Sequence, residues 1–152
     1  MLRLIGRFAL ILVVLSVTAG CKIDGATDSG FAFWFRNDSS SDVIVQFIDH
    51  GYGVGYAVAG GRTGGSLFGV STYSGHIRVV TSDCRLLWEE TVAQSRGGAV
   101  AVAPDLSVRL VEHAPDGVGR PLGISGDAVP ETGACLPEGT EYAPDDPYAS
   151  PS

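Results

Sequence analysis

The sequence predicts an all-β fold, a small antiparallel sandwich or barrel of about seven to eight strands, followed by a flexible acidic C-terminal tail. Three observations lead there. Apolar residues alternate at period two between Phe31 and His113. Strand-length runs recur roughly every ten residues, with Gly, Pro, Asn or Asp between them. No segment in that range keeps a helical period.

The elements follow in order. Phe31-Ala32-Phe33-Trp34-Phe35-Arg36 places Phe31, Phe33 and Phe35 on one face, with Trp34 available to cover the other. Asn37–Ser41 is a turn cluster. Val43–Ile48 is apolar on both faces apart from Gln46, as a central strand requires. Val54, Tyr56 and Val58 alternate with Gly and Ala, and Gly60–Gly65 reads as a turn. Phe68 and Val70 alternate before a turn at Tyr73-Ser74-Gly75. His76–Ser82 puts Ile77 and Val79 on one face, and Asp83-Cys84 turns the chain. Leu86, Trp88 and Val92 then share a face. After a loop at Gln94–Gly98 come Ala99–Ala103, a turn at Pro104-Asp105, and a last alternation at Leu106, Val108 and Leu110.

Beyond the 31–113 domain the pattern weakens. Ala114–Gly133 is rich in Gly and Pro and reads as an extended segment, 114–135, held down at Cys135. Leu136–Ser152 has four prolines, several acids and few apolar residues, a composition expected to stay disordered. At the other end, Lys22–Gly30 is polar and carries glycine, which suits a tether over 21–30. Its Asp24 and Asp28 lack the acidic closure of a calcium loop.

The first residues have three parts. Arg3 and Arg7 give a positive start with no acid, Phe8–Val17 is apolar apart from Ser16, and small residues Thr18, Ala19 and Gly20 precede Cys21. That is the layout of an export signal over 1–20. Phe8–Gly20 is 13 residues, too short for a spanning helix. Thr18-Ala19-Gly20-Cys21 resembles the lipobox of bacterial lipoproteins, departing from it at Thr18, where that family usually has Leu. The resemblance covers the signal alone. It implies a diacylglyceryl group on the Cys21 thiol, cleavage just before Cys21, and a lipid-anchored chain at the cell membrane or outer membrane, facing the extracytoplasmic side.

Charge and cysteine usage fit that address. All 17 acids lie after residue 20, against eight basic residues there, so the mature net charge is −9. Such a surface repels phosphate backbones and makes nucleic acid an unsuitable partner. With Cys21 lipidated, Cys84 and Cys135 remain, and two thiols in an exported domain are expected to pair. Closing a loop of about 50 residues stabilises by on the order of 4 kcal/mol in the chain-entropy picture.

No motif specifies a reaction. The histidines His50, His76 and His113 are scattered, with no closely spaced ligand pair, and the only Met is the initiator, so neither a metal nor another cofactor is expected. Asp49-His50 would serve as base and orienter only if the two met, and neighbours in a continuing strand face opposite ways. No G-x-S-x-G elbow is present. Gly51-Tyr52-Gly53-Val54-Gly55-Tyr56 is glycine-rich but lacks a following helix to receive a phosphate, so it reads as a hairpin or bulge that needs small residues. Tyr52, Tyr56 and Tyr73 lie near turns and are the candidates for an aromatic ligand face, while Trp88 suits the core. The expectation is a membrane-anchored lipoprotein of non-catalytic structural or binding role, meeting the bilayer through its lipid and an envelope protein or glycan through the domain. The alternatives are a carbohydrate- or peptide-binding module and, further off, a hydrolase with a site assembled from distant residues.

Overall fold

The computed structural model describes residues 31–68, 73–94, 98–111 and 124–143. The expected signal, tether and lipid site at Cys21, and the tail from 144 onward, lie outside the described residues. The chain is all-β, and among the described residues there is no helix. Eight strands fall within residues 31–111: β1 (Phe31–Asn37), β2 (Val43–Asp49), β3 (Tyr52–Val58), β4 (Arg62–Phe68), β5 (Tyr73–Thr81), β6 (Leu86–Gln94), β7 (Gly98–Val102) and β8 (Val108–Val111). Three short strands follow: β9 (Ser125–Gly126), β10 (Ala128–Pro130) and β11 (Glu141–Tyr142).

They form a two-layer, sandwich-like arrangement rather than a closed barrel. One sheet has the order β8-β7-β1-β4-β9. The other has β10-β3-β2-β5-β6, with β11 also on β3. The pairing is antiparallel, as expected, except that β1 runs parallel to β7 and β3 parallel to β11. The chain repeatedly crosses between layers, so β7 reaches β1 from the other sheet and in the same direction.

The core lies between the central strands. Phe33 and Phe35 of β1 meet Phe47 of β2 and Tyr56 of β3. Val43, Val45, Val54, Val58, Ile77, Val79, Val92, Val100 and Val102 complete it. Val43–Ile48 is buried on both faces, as its apolar run, interrupted only by Gln46, predicts. Trp34 lies half-buried on the opposite face of β1, paired with Gly65 and Ala99. One face assignment is corrected: the register shifts between Val79 and Val80, so Val79 pairs with Trp88 and Val80 with Leu86. The extra residue, Leu87, packs with Trp88 against the core, and Leu86 turns outward to 48% exposure.

Residues 125–130 close one side of the sandwich. β9 pairs with β4, the chain turns at Asp127, and β10 pairs with β3 in the other layer. The crossover lies so close to β4 that a Cβ on Gly64 would fall 2.4 Å from both the backbone N and the Cβ of Ala128. Gly64→Ala therefore forces backbone apart and is expected to destabilise by roughly 1–3 kcal/mol, the usual cost of overpacking. Equilibrium urea unfolding of the variant checks this, and a loss below a few tenths of a kcal/mol would contradict it.

The expectation of a structureless tail from Leu136 is corrected for residues 136–143. Leu136 and Thr140 lie against Gly53, and the amides of Glu141 and Ala143 donate to the carbonyls of Gly51 and Gly53 at 2.7 and 2.9 Å. The glycines of β3 explain this. Val54, Tyr56 and Val58 face the core, which leaves Gly53 and Gly55 as a side-chain-free track on the outer face, and the C-terminal segment fills it.

Candidate functional site

The sandwich has two unlike poles. The turns 38–42, 59–61, 82–85 and 103–107 gather at one pole, opposite the end where β1 begins at Phe31. These turns are built of short polar residues that satisfy backbone groups locally. The Asp42 carboxylate accepts from the Gly60 amide at 3.0 Å, and the Asp38 amide donates to the Val102 carbonyl at 2.8 Å. Asp105 accepts from the amide and hydroxyl of Ser107, which holds its carboxyl below the ordinary carboxylate range. The Thr81 hydroxyl does the same for Asp83. Because both folded values lie below the unfolded ones, these contacts stabilise at neutral pH, and the contribution is lost as pH falls through the folded values.

A cleft of about 300 Å3 opens at this pole between the first turn and the β7–β8 hairpin, lined by Asp38, Val102, Ser107, Val108 and Arg109 among others. Cross-strand register sets Arg36, Ala101 and Arg109 in one row on the outer face. Arg36 Nε contacts both Asp38 carboxylate oxygens at 2.8–2.9 Å, and this partner raises the Arg36 pKa further. The cleft thus sets a carboxylate and a guanidinium beside a small apolar floor. Such a site can bind through hydrogen bonds and charge. Among the described lining residues the hydroxyl of Ser107 donates to Asp105 at 2.6 Å, and none is a histidine.

The tyrosines do not assemble into one face. Tyr52 is 45% exposed at the opposite pole. Tyr56, expected at the surface, is corrected: it is 7% exposed, stacks on Phe35 at 5.4 Å and accepts a hydrogen bond from the Ser66 hydroxyl at 3.0 Å. Nearness to a turn misled here, since period two from Val54 already sends Tyr56 inward. The side chain of Tyr73 lies outside the described residues.

Asp49 and His50 do meet, contrary to the expectation from a continuing strand. The strand ends at Asp49, His50 takes a left-handed conformation (φ 49°), and its Nδ1 lies 2.7 Å from Asp49 Oδ1. The imidazole is 87% exposed, so the pair lacks the enclosing walls a hydrolytic site needs. His76 sits elsewhere, on the outer face of β5, 3.2 Å from the Thr91 hydroxyl and 3.6 Å from Glu89. His113 lies outside the described residues, and among those described no three His, Cys, Asp or Glu side chains are grouped to hold a metal ion.

Cys84 and Cys135 form a disulfide, with Cα atoms 5.0 Å apart. Both take left-handed turn conformations, with φ of 67° and 66°. The bridge lies outside the inter-sheet core, on the outer face of the β3-β2-β5 layer. There Gln46 Nε2 donates to the Ala134 carbonyl at 3.1 Å, and Arg78 donates to Gln46 Oε1 and to the Cys135 carbonyl. Arg78 Nε also lies 3.5 Å from Glu89 Oε2. Gln46, the one polar interruption of β2, is therefore fully buried yet satisfied, which the sequence alone gave no means to see.

The chain matches no protein-family model, no curated protein and no solved structure.

Proposed function

We propose that the chain is an exported lipoprotein, anchored to an envelope membrane through lipid on Cys21, whose β-sandwich has a non-catalytic structural or binding role on the extracytoplasmic side. The observation that carries this reading is the distribution of its cysteines. The folded part joins both of its thiols in one bridge, which suits an oxidising compartment. The third, Cys21, ends a signal-like segment whose last four residues resemble a lipobox. The pole geometry suits display, since β1 begins nine residues after Lys22 at the end away from the cleft. The cleft beside Asp38 and Arg109 favours binding over a purely structural role, with a polar ligand such as a glycan or peptide segment.

Intact mass of membrane-extracted protein tests the anchor. The expected result is loss of residues 1–20 and gain of a diacylglyceryl group on Cys21, and Cys21→Ser should release the protein from the membrane fraction. A retained Met1, or a soluble product cut at another bond, would overturn the reading.

A further inference from the structure

We infer that the Cys84–Cys135 disulfide is a redox latch for a strap, residues 131–143, and that its reduction frees the strap while the sandwich stays folded. Three observations carry this. The core residues come from β1–β3 and β5–β7, and among the described residues beyond 111 only Ala128 and, partly, Ala143 join them. From Val129 to Ala143 no residue is fully buried. The strap crosses the outer face of β3 and β2, touching it through Leu136 and Thr140 over Gly53, Glu131 over Gly55, and the carbonyls of Ala134 and Cys135 on Gln46 and Arg78.

The strap's own side chains are at most half-buried and β11 pairs only two residues with β3, although the Ala134 and Cys135 carbonyls reach the buried Gln46 and the partly buried Arg78. Segments with little buried apolar area open at low free energy. A covalent tie is what distinguishes this strap from such a segment. The hinge falls after Pro130, because Ala128 is fixed in the core and Gly133, Pro137 and Gly139 lie beyond.

The chemistry needs a dithiol reductant. Cys84 is exposed and Cys135 half-buried, so a dithiol's thiolate reaches the Cys84 sulfur first. The S–S bond breaks, Cys135 leaves as a thiolate and takes a proton, and a mixed disulfide forms on Cys84. The reductant's second thiol then displaces Cys84, which is protonated in turn. Two electrons and two protons enter the pair, and the reductant departs as its own disulfide.

Hydrogen exchange of the full chain, read by mass spectrometry with and without dithiothreitol, tests the latch. The amides of Glu131, Glu141 and Ala143, which donate to the carbonyls of Gly55, Gly51 and Gly53, are the reporters. After reduction their exchange should quicken at least tenfold, while β1, β2 and β5 keep their protection and the far-ultraviolet circular dichroism is unchanged. Reoxidation should restore the slow exchange. The double substitution Cys84→Ser with Cys135→Ser should reproduce the reduced pattern without reductant. Unchanged strap exchange would overturn the proposal. So would loss of protection across the whole sandwich on reduction or in the double variant, since the bridge would then hold the fold and not a latch.

Discussion

Replacing Phe47 by Ala is expected to lower the unfolding free energy by about 3–5 kcal/mol, the usual range for a buried Phe cut to Ala. Phe47 is 2% exposed on the central strand of its sheet. Its ring centroid lies 5.2 Å from Phe33, 5.8 Å from Phe35 and 6.3 Å from Tyr56, so one side chain joins three rings from two other strands. The loss combines transfer of the ring, a cavity that two sheets cannot close independently, and aromatic contacts each worth roughly 0.5–1.5 kcal/mol beyond area. Domains of this size have only about 5–15 kcal/mol to lose. Urea unfolding at 25 °C should show a lower midpoint with an unchanged slope. Leu86→Ala is the comparison that tests the register. Leu86 reads as a core residue by simple alternation from Trp88, but the bulge turns it outward, so its truncation should cost no more than about 0.5 kcal/mol. A loss above 2 kcal/mol at Leu86, or below 1 kcal/mol at Phe47, would contradict this packing.

The contrast between these residues shows what was legible in the sequence. Period-two alternation identified Phe33, Phe35, Ile77 and Val79 as core, because each lies in a strand of regular pleat. It failed at Leu86, since a one-residue bulge reverses every face beyond it and leaves no compositional trace. It failed again over 136–143, for a different reason. Pro, Gly and acid content describe a segment's own capacity to bury surface, while this segment is held by what β3 lacks, side chains at Gly53 and Gly55. The glycine alternation was the available signal, and its meaning depends on a partner more than 75 residues downstream. The cleft was not legible at all. Arg36, Ala101 and Arg109 become neighbours only through the parallel pairing of β1 with β7 within one sheet, strands far apart in sequence.

Asn37→Ala is the second substitution with a large expected effect, about 3 kcal/mol, although it removes no apolar surface. Asn37–Ser41 reads from composition as an ordinary turn cluster, yet Asn37 is 1% exposed and ties three strands together. From the end of β1 its Nδ2 donates to the Val58 carbonyl of β3 at 3.0 Å and to the Ser41 carbonyl, just before β2, at 2.8 Å. Its Oδ1 accepts from the Ser39 amide at 3.1 Å and the Ser39 hydroxyl at 2.7 Å. All four valences of one side-chain amide are used, one of them across the layers to Val58 and three within the turn. Alanine leaves those partners without their bonds in a site largely closed to water, at roughly 1–3 kcal/mol for each buried group left unsatisfied, less whatever the turn recovers by relaxing. Asn37→Asp separates the two halves of the role. It keeps the acceptor for Ser39 but turns the donor toward Val58 and Ser41 into a second oxygen, so at neutral pH it should destabilise at least as much as Ala. Acidification protonates the new carboxyl, returns one donor and should narrow the deficit relative to the parent protein. Ser39→Ala, which removes only the hydroxyl, should cost about 1 kcal/mol. Urea unfolding of the three variants, at neutral and acid pH, measures the series. A loss below 1 kcal/mol for Asn37→Ala would mean that water replaces the amide, and Asn37 would then be a turn residue and not the tie between the two sheets.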